Sequence, residues 1–273
     1  MTQWSVDRPQ TIELGQVEKV KVRLIGGHVD VVGSEGPARL EVSAIEGPPL
    51  EVRLEGSTLE LTYDDLSWRG LLSWKRGVRR NVTMSLAVPA SCPVELGVVS
   101  ASAVVAGMAG PASVKSVSGG VTLDGLGGPM DGQTVSGDLE TRGLGGPLRF
   151  KTVSGDLTVI DGASGIVRAT TVSGDITVDL VVPDDALRRD VGLDVDSVSG
   201  DVTVRLPDDA DVQVDVKTTT GDLDSAFDGL HRERRPGSAR LEGTLGRGGG
   251  KVTARTVSGD VALLRRSRPQ VSA

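Results

Sequence analysis

The chain has 273 residues, a formal net charge of −7 and one cysteine, Cys92. That balance argues against nucleic acid as a main partner, since phosphate binding needs a dominant basic surface, and a lone cysteine excludes an internal disulfide framework and fits a reducing compartment. Aromatic residues make up only 2% against 38% hydrophobic residues overall, a balance that suits a thin core filled by rows of Val, Leu and Ile.

The first nine residues show neither a basic nor an apolar leader region. No run approaches the roughly 20 apolar residues of a membrane span. The expectation is a soluble, cytoplasmic protein. Thr11-Ile12-Glu13-Leu14 alternates apolar and polar residues as a half-buried strand does. Leu24-Ile25-Gly26-Gly27-His28 reads as a degenerate copy of a phrase that dominates the chain further on. Alternating segments at 39–43, 50–54 and 57–63 follow.

From Asp64 to Arg80 the rhythm breaks. Trp68, Leu71, Leu72 and Trp74 stand among Arg69, Lys75, Arg76, Arg79 and Arg80, with no acid from 69 to 80. One reading is a contact loop for an anionic membrane surface or an acidic partner, the rings anchoring and the cations drawn to phosphate. The other is an insertion whose tryptophans fold back as a cap, which terminal repeats need.

The phrase itself occurs as Ser116-Val117-Ser118-Gly119-Gly120, Thr134-Val135-Ser136-Gly137-Asp138, Thr152-Val153-Ser154-Gly155-Asp156 and Thr171-Val172-Ser173-Gly174-Asp175. The first three copies are 18 residues apart and the fourth lies 19 on. A fixed period near 20 residues is the mark of a solenoid, one coil turn per repeat. Later copies are Ser197-Val198-Ser199-Gly200-Asp201, Thr218-Thr219-Thr220-Gly221-Asp222 and Thr256-Val257-Ser258-Gly259-Asp260. The step of 38 residues before the last copy reads as two turns.

Five and three places before each phrase Val stand mostly apolar residues (Ala112 and Val114, Leu148 and Phe150, Leu193 and Val195), with polar ones between. That is a strand with one buried face. Ser-Gly-Asp forms a bend, with Gly supplying backbone freedom and Ser and Asp bonding their own backbone. Through Thr-Val-Ser the parity stays open: either Val or its neighbours face inward.

The fold expected is all-β: a single-stranded β-solenoid, a right-handed β-helix with turns of roughly 18–20 residues. Residues 1–97 would supply N-terminal strands, a cap and the first degenerate turns, continuous with regular repeats over 98–273. The recurring phrase, the Val88-Pro89 and Leu206-Pro207 strand ends, and Asp211-Val212-Gln213-Val214-Asp215-Val216-Lys217 leading into Thr220-Gly221-Asp222 resemble the bacterial "putative adhesin" family, a domain of unknown function related to the toast-rack domains near cell-envelope stress systems. The resemblance implies a β-solenoid and brings no activity, substrate or catalytic residue with it.

Chemistry-bearing candidates are few. The aspartates of the phrases could line up as weak cation ligands, but one per turn supplies few oxygens, and turn chemistry is the favoured role. Gly246-Arg247-Gly248-Gly249-Gly250-Lys251 resembles a phosphate loop, yet Leu245 and Val252 occupy positions that need Gly and Ser/Thr. His28, His231 and Cys92 have no zinc spacing. No catalytic, cofactor or metal residues are therefore assigned. The function expected is a non-enzymatic scaffold or interaction module for a protein partner, with self-association through sheet edges open to it. The alternatives are a peripheral membrane module using the 64–80 loop and a carbohydrate-active β-helix enzyme, the last disfavoured because no carboxylate pair stands out from the outer-face pattern.

Overall fold

The computed structural model describes residues 1–63, 79–162, 166–181 and 192–266. Among these residues the regular structure is all strand. The chain divides into two compact units, Met1–Asp138 and Leu139–Ala273.

In the first unit the strands are β1 (Thr2–Val6), β2 (Gln10–Glu13), β3 (Lys19–Leu24), β4 (Gly26–Ser34), β5 (Arg39–Glu46), β6 (Leu50–Glu55) and β7 (Thr58–Thr62). They continue with β8 (Asn81–Pro89), β9 (Val94–Val98), β10 (Ser102–Ala106), β11 (Ala112–Ser116), β12 (Val121–Asp124) and β13 (Met130–Thr134). One ladder runs β1-β6-β7-β3-β9-β11-β13 and the other β2-β5-β8-β4-β10-β12. From β7 and β8 onward the pairing is parallel. Ala112 lies opposite both Val94 and Met130, and Ala103 opposite Val121, so an 18-residue repeat in sequence becomes one step in the ladder. Residues 20–34 join this array directly, as the degenerate copy at 24–28 suggests. β5 and β6 run antiparallel to β8 and β7.

The second unit holds β14 (Leu139–Arg142), β15 (Leu148–Thr152), β16 (Leu157–Gly162), β17 (Ile166–Ser173), β18 (Ile176–Leu180), β19 (Gly192–Ser199) and β20 (Val202–Pro207). It ends with β21 (Val212–Thr220), β22 (Leu223–Ser225), β23 (Leu230–Arg235), β24 (Ser238–Leu245), β25 (Gly250–Ser258) and β26 (Val261–Arg266). Its ladders run β15-β17-β19-β25-β21-β24-β23 and β14-β16-β18-β20-β26-β22.

This order corrects one expectation. The last phrase does not follow two turns beyond Thr218–Asp222. β25 and β26 slip between the turn of β19 and β20 and the turn of β21 and β22, parallel to both. The intervening residues form the antiparallel β23–β24 pair, which closes on β21. Spacing along the chain records how much chain is used, and here a hairpin consumes it.

Both columns read from the sequence face the core. Ala112, Met130, Leu148, Val167, Leu193, Val214 and Val252 are buried, as are Val114, Phe150, Ala169, Val195, Val216 and Ala254. Burying a Val or Leu side chain is worth about 1.5–3 kcal/mol, so these columns drive the stacking.

Candidate functional site: the outward face of the bends

The parity question resolves the same way at each bend. The Thr or Ser that opens the phrase is buried at 116, 134, 152, 171, 197, 218 and 256. The valine faces solvent, 40% exposed at Val117 and about half exposed at Val135, Val153, Val172, Val198 and Val257. The next Ser and the Asp also point outward. Two consecutive outward residues break the strand alternation, and that break turns the chain from one ladder to the other.

Each residue of the phrase has a physical task. The buried hydroxyl closes the bend: Ser116 Oγ donates to the Gly119 carbonyl at 2.6 Å, and the Gly155 N–H donates to Thr152 Oγ1 at 2.8 Å. The outward serine ties turns together, as Ser118 Oγ donates to the Val99 carbonyl at 3.1 Å and Ser136 Oγ to that of Val117 at 3.2 Å. Glycine is needed because backbone rests on backbone: a Cβ on Gly174 would strike the Gly155 carbonyl, one on Gly200 that of Gly174, and one on Gly259 that of Gly200.

The aspartates form a ladder of their own. Asp156 Oδ1 accepts the Asp175 N–H at 2.8 Å, and Asp175 Oδ1 accepts that of Asp201 at 2.9 Å. Asp201 Oδ1 accepts the Asp260 N–H at 2.9 Å, and Asp260 Oδ1 that of Asp222 at 2.8 Å. The expectation that Ser and Asp serve their own backbone is thereby corrected. With parallel turns about 4.8 Å apart, the neighbouring turn is the nearer customer. At the end of this ladder Asp222 meets Arg234 at 2.9 Å and Arg232 at 3.8 Å, both from β23, a role for these two arginines that no local pattern displays.

The result in the second unit is an apolar row, Val153-Val172-Val198-Val257, bordered by a row of acids. Thr219 replaces valine in the last turn. In the first unit, Val135 and Val117 lead to a half-buried Val99 and a buried Ile25.

Of the sequence-predicted contact residues, Trp68, Arg69, Leu71, Leu72, Trp74, Lys75 and Arg76 lie outside the described residues. Arg79 is exposed and Arg80 partly so, just ahead of β8. β7, which precedes the 64–80 stretch in the chain, lies in one ladder, and β8, which follows it, lies in the other.

The Gly-rich loop at 246–250 has its donors engaged within the protein. Asp211 Oδ1 accepts the N–H groups of Arg247 at 2.6 Å and Gly249 at 3.2 Å. Cys92 is buried and donates to the Val17 carbonyl at 3.1 Å; burial, then the charge of Glu18, raises its pKa. His231 is exposed on β23. Among the described residues no group of three or more His, Cys, Asp or Glu is arranged to hold a metal ion.

These features define an all-β repeat protein whose bends present a regular outer row. Residues 185–264, which hold the last three copies of the phrase, match the family model Toastrack DUF4097. No curated protein matches the chain. Among solved structures, the chain is similar to a "putative adhesin" of Bacteroides fragilis, with 12% identity, a TM-score of 0.48 and coverage of 96% of this chain and 97% of the other. It is also similar to a "putative lipid binding protein" of Parabacteroides distasonis, at 11% identity, TM-score 0.44, and coverage of 96% and 98%. A "putative cell adhesion protein" of Clostridium sporogenes has 13% identity, a TM-score of 0.30, and coverage of 95% and 99%.

Proposed function

We propose that this chain is a non-enzymatic interaction module, a right-handed single-stranded β-solenoid of roughly 18–20-residue turns acting in the cytoplasm, and that a protein partner docks along the outward face of its bends. The observation that carries this is the valine row. Scattered surface valines need no explanation, whereas aligned ones bordered by polar residues mark interaction surfaces. Charge complementarity sets the partner's chemistry: an apolar ridge flanked by Lys or Arg fits the valines and the acids beside them. The test compares wild type with a Val172→Asn, Val198→Asn, Val257→Asn variant in affinity capture followed by a binding isotherm on the captured protein. The reading expects affinity to fall at least tenfold with the melting temperature held. Unchanged affinity sinks it.

A second reading rests on the composition of the 64–80 stretch, which joins β7 of one ladder to β8 of the other in sequence. Its tryptophans and cations would dock the module on an anionic membrane. Flotation with anionic vesicles decides this, with binding lost in a Trp68→Ala, Trp74→Ala variant supporting it and no binding by wild type removing it.

A further inference from the structure

His28, Asp30 and Ser102 form a hydrogen-bonded chain on the outer face of the second ladder of the first unit. β4 and β10 are parallel neighbours with Ser102 opposite His28 and Val104 opposite Asp30. Residues two apart on a strand share a face, so Asp30 stands beside His28. His28 Nδ1 lies 2.8 Å from Ser102 Oγ, and Nε2 lies 2.8 Å from Asp30 Oδ1.

The proton positions follow from donor chemistry. An ionised carboxylate only accepts, so neutral His28 carries its proton on Nε2 and donates it to Asp30. Nδ1 then holds a lone pair, and the Ser102 hydroxyl donates to it. This is the arrangement of an acid, a base and a nucleophile in series, with the two ring nitrogens exchanged relative to the usual protease order. Ser102 is exposed, and the side chains of His28 and Asp30 are each 38% exposed. Since Ala103 lies opposite Val121, the place beside Ser102 belongs to Gly120, where a Cβ would meet nothing within 4 Å. Along the same face Val104, Val32 and Ala106 form an apolar shelf, with Val32 38% exposed.

We propose that Ser102 is a base-activated nucleophile and a site of covalent acylation by activated esters with a short hydrocarbon acyl chain. In the step, Ser102 Oγ forms a bond to the acyl carbon while its proton passes to His28 Nδ1. The bond from the acyl carbon to the leaving oxygen breaks, and that oxygen departs as an alcohol after taking the proton from His28. Asp30 stays ionised and balances the transient imidazolium; it acts as a positioning residue. The space over Gly120 admits the ester and the shelf takes its chain. The product is one ester on Ser102, without a requirement for turnover.

The experiment treats the folded full chain with p-nitrophenyl butyrate and locates butyryl groups by peptide mass spectrometry. The expected result is labelling of Ser102 at least tenfold faster than of the exposed serines Ser43 and Ser118 in the same sample. His28→Gln should reduce the Ser102 rate at least tenfold. Asp30→Asn should do the same and move the imidazole proton from Nε2 to Nδ1 in the nitrogen-15 spectrum of His28, with the melting temperature unchanged. Ser102 labelling no faster than that of Ser43 overturns the proposal and leaves the three residues as a tie between β4 and β10. Because that comparison is internal to wild type, it decides even if a variant fails to fold.

Discussion

Asp201 stands between two turns, its own N–H given to Asp175 and its carboxylate receiving the N–H of Asp260. A hydrogen bond to a charged acceptor contributes roughly 1.5–3 kcal/mol, discounted here by exposure. Asp201→Ala should therefore destabilise by about 1 kcal/mol in urea unfolding, and Asp201→Asn, which keeps an acceptor oxygen, by less. Equal effects would remove the ladder bond as the reason for the acid. Glu95 gives a pH signature. Its hydrogen bond from Lys19, opposed by some burial and aided by nearby cations, holds its carboxyl below its ordinary 4.5. A carboxyl lowered on folding contributes stability that is present above its unfolded value and lost as pH falls through the folded one. Lys19→Met should flatten the acid limb of the stability curve below about pH 4.5, by a small amount because the pair is half exposed. Cys92, with its thiol pKa raised by burial and by Glu18, should react with iodoacetamide slowly in the folded chain and fast in urea; equal rates would contradict its placement.

At the scale of the element, the bend is where sequence reasoning stopped short. The strands before it were legible because Leu148-Arg149-Phe150 and Leu193-Asp194-Val195 alternate at period two, and the buried columns follow directly. Inside the phrase that period fails, since Val198 and Ser199 both face outward while Ser197 faces in. The glycine was legible as a bend residue, but its tighter constraint is the carbonyl of the turn next to it, which no local pattern displays. Gly200→Ala should destabilise by about 1–3 kcal/mol, as overpacking does. Gly36→Ala, at a site with nothing within 4 Å, should be close to neutral. Similar values at both sites would mean that stacking does not select the glycine. Ser102 and His28, 74 residues apart in sequence, likewise had no local signal: only the register of β4 against β10 brings them together.

For each unit as a whole, stacking order is the property the sequence concealed. Seven closely similar phrases fix a period, yet they are too alike to say which lies against which, so the 256–260 phrase was free to pair with two earlier turns. Threading β25 and β26 between turns made earlier in the chain makes the second unit depend on contacts of long sequence separation, which form slowly. A chain ending at residue 246 would leave β19 and β21 without the strand that joins them. It should lose the cooperative unfolding of residues 192–225 in hydrogen exchange. Retained protection there would show that the turns of β19 and β21 can close on each other directly.

The outward row of valines underlies both the architecture of the bend and the docking face, and a pair of substitutions at adjacent positions tests it most directly. Val198→Asp and Ser197→Asp would be compared by urea unfolding. With Val198 at the surface and Ser197 in the core, the first should change stability by less than about 1 kcal/mol, and the second should lower it by about 3 kcal/mol or more as a charge is buried without a partner. The reverse order would place valine inside the bend and remove the row.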